Sequence, residues 1–229
     1  MSIPSQYQPR ILDEKTKEGY LNWSLDFFTD ANVIQSPYLN ITIQLDVTNA
    51  YQVYQNTPVA GATFFCFLIW HFVQTFKQHF SFNLRLVEGQ WFILDNPPIV
   101  IPVAVGGSDR FLEMVLENTS QINYESFVDG YRHKLDSIRQ LKGKGERVTG
   151  GFFELCCGFG NLPNLQFTGF TLHWQHGEIT GQPIFYFGKR YWQSDRLFIP
   201  FVARLHHACA DPFVLDLLLQ DFQKRFVRV

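Results

Sequence analysis

The chain has 229 residues, of which 46% are hydrophobic and 17% aromatic, so one domain spanning residues 1–229 can bury a large core. Its formal net charge is -2, and the basic residues are scattered along the chain, which argues against a nucleic-acid partner. The first residues lack the charged start and apolar core of a secretory signal, and polar residues interrupt the longest apolar run, so we expect a cytoplasmic protein with no membrane partner.

Apolar periodicity in the first half of the chain predicts three helices and four strands. In chain order they are helix 15–28, strand 41–47, helix 48–55, helix 59–78, and strands 82–87, 90–94 and 99–105. Glu88-Gly89 separates two of these strands and predicts a hairpin turn. The long apolar helix is expected to pack across a sheet.

The second half predicts further helix, then mostly strands. Residues 109–141 carry apolar side chains at helical spacing, and 142–146 follow as an exposed loop. The remaining elements are strands 152–157, 165–174, 183–189 and 196–205, then a C-terminal helix with Asp211 as N-cap and Pro212 at its first position. This order predicts an α+β fold: a two-layer sandwich with a large, mostly antiparallel sheet and helices on one face.

The four cysteines are expected to be reduced core residues, because they lie in apolar contexts without paired spacing. They are Cys66, Cys156, Cys157 and Cys209. A thiolate nucleophile activated by His207, either at Cys209 or at the Cys156-Cys157 pair, stays open as an alternative.

Two other short motifs suggest chemistry that their surroundings do not support. Residues 153–160 resemble the acidic, glycine-containing first loop of a methyltransferase, but residues 161–164 would block the helix that such a site needs. His173 and His176 could form part of a metal site, yet no third ligand cluster lies nearby. We therefore predict a polar strand end and no bound metal.

The turn between the last strand and the last helix holds the main functional signal. His206 and His207 stand side by side there, and Asp211 follows four residues after the second histidine. A neutral imidazole can accept a proton near pH 7 and return it later. The pattern indicates that His207 is a general base and that Asp211 orders the loop; a plain strand end followed by a helix cap is the alternative.

The C-terminal half resembles the chloramphenicol acetyltransferase family, whose signature is HHxxxDG after a strand. Other segments fit the family pattern: Phe167–Leu172 with FxSFxL, Pro183, Gly188–Tyr191 with GKYY, Asp195, Pro200, and upstream Ile43–Thr48 with VQLDIT and Phe92–Asp95 with LVIWD. The resemblance covers nearly the whole chain and is weakest over residues 105–150.

This resemblance implies a homotrimer with an active site at each subunit interface, where acyl-CoA and a small-molecule acceptor enter a tunnel from opposite ends. His207 would take the proton of an acceptor hydroxyl or amine, which then attacks the thioester. Asp211 would hold the loop, and His206 would be a supporting residue. Acetyl-CoA, or another acyl-CoA, would be a cosubstrate and no cofactor would stay bound; the sequence identifies no residue that binds it.

One departure from the family pattern concerns the transition state. Gly169 stands where the family has a serine that hydrogen-bonds the tetrahedral intermediate. Losing one such donor typically costs about 2.7 to 4 kcal/mol of transition-state stabilisation. Thr168 and Thr171 are the neighbouring hydroxyls that could compensate, although strand alternation would point Thr168 to the other face.

Two further departures concern the motif aspartate. Pro212 replaces the glycine after Asp211, which fixes φ and removes an N–H from the turn. Thr16 falls where the family has an arginine that pairs with the aspartate, leaving Lys15 or Lys17 as substitutes with poorer bidentate geometry.

The acceptor pocket departs from the family as well. Around residues 38–40 and 102–105, family aromatic positions become aliphatic or small, so we expect an acceptor other than chloramphenicol, either a secondary metabolite or another antibiotic. Two alternatives remain. One is a diverged enzyme that uses a carrier-protein thioester or catalyses condensation or cyclisation, as in related domains that share HHxxxD; the other is an inactive binding protein of the same fold.

Overall fold

A computed structural model describes residues 2–141, 150–173 and 179–227 of the chain. The helices of this part are α1 (Tyr20–Phe27), α2 (Thr48–Asn56), α3 (Phe64–Phe76), α4 (Tyr124–Leu141), α5 (Gly151–Leu155) and α6 (Pro212–Lys224). Its strands are β1 (Pro9–Ile11), β2 (Tyr38–Asp46), β3 (Leu84–Val87), β4 (Gln90–Leu94), β5 (Ile99–Gly106), β6 (Arg110–Leu116), β7 (Cys157–Asn161), β8 (Ile184–Phe187), β9 (Tyr191–Gln193) and β10 (Arg196–His206).

The larger of two sheets has the strand order β2-β10-β8-β7-β5-β6, and β9 pairs with the start of β10. Strand β7 runs parallel to both β5 and β8, whereas the other pairings are antiparallel. The sheet is therefore mostly antiparallel, as predicted. Strand β10 lies between β2 and β8 and ends at the paired histidines, so it fixes the position of the turn that follows.

Helices α2, α3, α4 and α6 cover one face of this sheet and form the main core with it. Thr63 caps α3 by accepting a hydrogen bond from the backbone N–H of Cys66, which is why the helix begins at Phe64 and not near residue 59. The Phe72 ring lies 4.1 Å from that of Phe222 on α6 and 5.4 Å from that of Phe201 on β10. Truncating such a buried ring to alanine costs about 3 to 5 kcal/mol of stability.

A second, three-stranded sheet with the order β1-β4-β3 stands apart from the large one. Its hairpin turns at Glu88 and Gly89, both at positive φ, which is the geometry that the predicted turn requires. Helix α1 packs on this sheet, and the resulting cluster includes Ala208 and Cys209 from the turn after β10. The small sheet and α1 thus form a wall beside that turn.

The predicted α+β class is confirmed, as are helix α2, the hairpin, and the positions of β5, β10 and α6. The helix predicted over 15–28 is confined to Tyr20–Phe27, since Gly19 precedes it at positive φ. In the part of the chain that the structure describes, no helix is long and apolar enough to span a membrane.

Three other predicted elements are wrong, two of them in the type of element that forms. Residues 110–116 form β6 and not the start of a helix: Leu112, Met114 and Leu116 are buried at a spacing of two, and the matches to helical spacing at Phe111 and Val115 were coincidental. Residues 151–155 form α5, a short helix, so the strand predicted over 152–157 begins only at Cys157.

The strand predicted over 165–174 is also absent from its described residues, 165–173. This segment, hereafter the crossing segment, runs in irregular conformation over β2 and bonds to its side chains. Gln44 Nε2 donates to the Phe167 carbonyl, while the backbone N–H groups of Phe170 and Leu172 donate to Thr42 Oγ1 and Asn40 Oδ1. The predicted loop at 142–146 and residues 174–178, which include His176, lie outside the described residues.

Candidate active site

The turn that carries the two histidines is fixed by hydrogen bonds on both sides. The backbone N–H of His207 donates to the Pro37 carbonyl at 2.7 Å, and those of Cys209 and Ala210 donate to the His206 carbonyl. At the far end, Asp211 Oδ1 accepts the Val214 N–H at 2.9 Å and so caps α6. The backbone at His207 is therefore held between a strand end and a helix start.

The His207 imidazole is partly buried against Phe28, whose ring centroid lies 3.8 Å away. Burial lowers the pKa of His207 below its usual 6.5, and the Asp211 carboxylate opposes this shift without cancelling it. The imidazole is therefore neutral at pH 7 and able to accept a proton. The Asp211 charge favours the imidazolium that would form next.

Helix α1 also holds the turn through Ser24. The Ser24 side chain is buried, and its Oγ donates to the Ala208 carbonyl at 2.9 Å. Ser24 and Phe28 are four residues apart and so face the same side of the helix. Sequence reasoning missed both, because a serine and a phenylalanine in an aromatic-rich helix match no catalytic motif.

His206 has the environment of a structural residue. Only 3% of it is exposed, and its Nδ1 accepts the Ala208 N–H at 3.2 Å. Its ring meets the Tyr38 ring edge-on at 5.0 Å. These contacts stabilise the backbone of the turn.

Neither lysine proposed as a counter-charge for Asp211 bonds to it. Lys17 Nζ pairs with Glu14 at 2.8 Å instead, and in the described part of the chain Asp211 forms no salt bridge. The Asp211 charge also influences Tyr20 on α1: burial raises the pKa of Tyr20, and the Asp211 carboxylate raises it further. Asp211 thus has two effects: it caps α6, and its charge influences His207 and Tyr20.

Thr168, Gly169 and Thr171 lie on the exposed crossing segment. A β-carbon placed at Gly169 would meet no atom within 4 Å. Among the described residues no hydrogen bond joins this segment to His207. Within one chain, the predicted supporting residues of this segment therefore do not bond to the proposed base. Because the segment is not a strand, the prediction that strand alternation points Thr168 to the other face does not apply.

All four cysteines are buried and unpaired. Burial raises the pKa of Cys66, Cys156 and Cys209 to about 12, and raises that of Cys157 as well. A buried thiol with a raised pKa is protonated at pH 7 and a poor nucleophile. Across residues 2–141, 150–173 and 179–227, no group of His, Cys, Asp or Glu side chains could hold a metal ion.

A family model described as chloramphenicol acetyltransferase matches residues 22–223. A chloramphenicol acetyltransferase from Campylobacter coli is 23% identical over 210 residues, which cover 91% of this chain and 96% of the relative. One from Proteus mirabilis is 26% identical over 193 residues, covering 80% and 81%.

Solved structures support the fold. A chloramphenicol acetyltransferase structure superposes with a TM-score of 0.77 at 19% identity, covering 96% of this chain and all of the other. The dihydrolipoamide acetyltransferase of Azotobacter vinelandii gives a TM-score of 0.63 at 17% identity, covering 98% and 97%. Both superpositions cover nearly the whole chain, so both structures share its α+β fold.

Proposed function

The chain belongs to the chloramphenicol acetyltransferase family and is an acyltransferase, and from this premise we propose that His207 is the general base of acetyl transfer from acetyl-CoA to a small-molecule hydroxyl or amine. The observation that carries the proposal is the state of His207. Its imidazole is partly exposed and lies in a turn whose backbone is fixed by hydrogen bonds. Because burial lowers its pKa, the imidazole is neutral at pH 7. A general base needs this combination of pKa and position.

In the proposed reaction, the imidazole takes the acceptor proton while the acceptor oxygen or nitrogen attacks the thioester carbonyl. The tetrahedral intermediate then collapses, the carbon–sulfur bond breaks, and the imidazolium returns its proton to the leaving CoA thiolate. Asp211 favours the transient imidazolium because its charge acts to raise the His207 pKa. The supporting role falls to His206, which shapes the turn through Ala208.

The crossing segment is where the proposed site lacks a group that the family pattern has. Gly169 has no side chain to donate to the intermediate, so Thr168 and Thr171 are the candidates for that role. This gap is the observation that favours the two alternatives, a carrier-protein thioester as donor or a binding protein without turnover.

For CoA, we propose the surface around Arg190, which lies beside the start of β10 whereas His207 follows its end, so that CoA bound there would serve the His207 of a neighbouring subunit in the proposed trimer. Its guanidinium lies over the rings of Tyr51 at 5.3 Å and Phe64 at 5.7 Å, and the Trp192 ring next to Tyr51 is 59% exposed. A cation attracts phosphates, and exposed aromatic faces suit stacking of adenine.

The remaining proposals concern domain organisation, assembly and location. We propose one domain over residues 1–229, supported by a core that joins residues from Leu45 to Phe226. We also propose a cytoplasmic homotrimer in which the site is completed between subunits, because no hydrogen bond among the described residues joins the crossing segment to His207. The acceptor is a secondary metabolite or antibiotic other than chloramphenicol.

The test is release of the CoA thiol from acetyl-CoA in the presence of an acceptor panel that includes chloramphenicol. We expect release with at least one other hydroxyl or amine and little with chloramphenicol. Acetyl-loaded carrier protein serves as the second donor. Release only from the carrier would favour the first alternative, and release with neither donor would favour the binding protein.

A further inference from the structure

Arg204 is a buried cation on the sheet face opposite the main helices. It lies in β10 two residues before His206 and is 3% exposed. Its guanidinium carbon lies 3.6 Å from the centroid of the Tyr38 ring, which covers it. The residues beside it in the neighbouring strands, Asn40 in β2 and Ile184 in β8, carry no charge.

Comparison with Arg85, the other buried arginine of the described residues, shows that Arg204 lacks acceptors that a buried guanidinium can have. Arg85 is 0% exposed, and its three nitrogens donate to six backbone carbonyls and to Cys157 Sγ. The buried Nε of Arg204 has no hydrogen-bond acceptor. Burial also lowers the pKa of Arg204, whereas the charge of Tyr38 and a hydrogen bond to its side chain act in the opposite direction.

No carboxylate of the described residues compensates this charge. Asp46 lies on the same face but at the other end of β10, opposite Phe198, and pairs with Arg196. Glu113 lies in β6, four strands from β10 and so about 19 Å away at the usual strand spacing. A buried cation without a counter-charge strongly favours the arrival of an anion.

The uncompensated charge adjoins the proposed base. The Tyr38 ring that covers Arg204 also contacts His206, and the preceding residue, Pro37, accepts the His207 N–H. His207 follows Arg204 by three positions, so the extended backbone places their α-carbons about 10 Å apart. A small molecule can span that distance.

We propose that the acceptor carries a carboxylate that binds Arg204 while its hydroxyl or amine reaches His207. This inference rests on the proposed function for the same site and names its substrate class. Arginine is suited to the role because its planar fork can bind a carboxylate through two hydrogen bonds. The Tyr38 ring must move aside to admit the carboxylate. Because this ring also contacts His206, its movement would couple carboxylate binding to the turn that holds His207.

The test measures binding apart from turnover. Hydroxy acids from glycolate to para-hydroxycinnamate, each paired with its neutral amide, are titrated calorimetrically into the full chain and into Arg204→Gln, Arg204→Lys and Arg196→Gln. The last is the matched control, because it removes an exposed, paired arginine from the same strand. We expect at least one acid to bind tenfold or more tighter than its amide, a ratio near one in Arg204→Gln, partial retention in Arg204→Lys and no change in Arg196→Gln.

Equal binding of every acid and amide, no binding of any acid, or an acid preference that survives in Arg204→Gln would each overturn the inference. If a carboxylate of a second copy held Arg204 instead, no acid would be preferred and Arg204→Gln would weaken the oligomer. Should Arg204→Gln fail to fold, the acid-to-amide ratio of the native chain decides. Acid-specific binding without thiol release contradicts the proposed function alone, whereas acetyl transfer to amides as fast as to acids contradicts this inference alone.

Discussion

The ring of Phe28 lies over the imidazole of His207, with the two centroids 3.8 Å apart and 31° between the planes. Phe28 closes α1 and His207 opens the turn after β10, so this contact joins two elements that are distant in the sequence. It also excludes water from one side of the imidazole, which contributes to the burial that lowers the His207 pKa.

Replacing Phe28 with alanine tests this contact. Because less burial lets the imidazolium form more easily, the His207 pKa rises toward its usual 6.5, and the acid limb of kcat/KM moves to higher pH. Phe28→Leu, which keeps an apolar cover, should shift the limb less. The pH profiles of the three proteins check the prediction, and an unmoved limb in Phe28→Ala would show that the ring does not set the pKa.

Gly169→Ser restores the hydroxyl that the family pattern has at this position. The site can accept it, since a β-carbon there meets nothing within 4 Å. One donor to the tetrahedral intermediate is worth about 10² or more in rate, so acetyl transfer to simple alcohols should rise by at least about tenfold. Gly169→Ala is the control and should give no gain. No rise, or a loss, in the serine variant would mean that another group already fills this role.

Asp211 combines a helix cap with a charge near His207, and two substitutions separate these roles. Asp211→Asn keeps the cap, because asparagine caps helices as well as aspartate does, whereas Asp211→Ala loses about 1 kcal/mol of stability. Both remove the charge that favours the imidazolium, so kcat should fall in both and the Tm only in the alanine variant. Unchanged kcat in Asp211→Asn would leave Asp211 with the cap alone.

His71 makes stability sensitive to acid. Burial, with a further effect of the Arg225 charge, lowers the pKa of His71 to about 3, so the folded chain cannot take the proton that the unfolded chain binds below pH 6.5. Stability is therefore lost as the pH falls from 6.5 toward 3, by about 2 kcal/mol between pH 7 and pH 5. His71→Phe should flatten this part of the curve in urea unfolding, whereas His133→Phe, an exposed control, should not. The same pH dependence of the unfolding free energy in the native chain and in His71→Phe would contradict this role of His71.

Much of the fold could be predicted where local pattern and final packing agree. The cap at Asp211, the turn at Glu88-Gly89 and the apolar run of β10 each follow from short-range rules, and each is present. The errors arise where two periods fit the same residues. In β6 the apolar residues fit both helix and strand, and only the pairing with β5 decides between them.

The candidate site was predictable only in part. His207 and Asp211 form a recognisable motif, but Phe28 and Ser24 reach the turn through tertiary packing that no spacing reveals. Arg204 is visible in the sequence as a charge inside an apolar strand, but only the fold shows that its Nε has no acceptor and that no carboxylate of the described residues pairs with it. The crossing segment has the family pattern of a strand, yet within this chain its backbone bonds to the side chains of β2.

The central claim is tested most directly by thiol release from acetyl-CoA with the preferred acceptor, comparing the native chain, His207→Ala and the exposed-residue control His133→Ala. Removing a general base typically costs 10² to 10⁴ in rate, so kcat should fall by about that factor in His207→Ala alone, with the fold unchanged by circular dichroism. A folded His207→Ala that releases thiol as fast as the native chain would contradict the account.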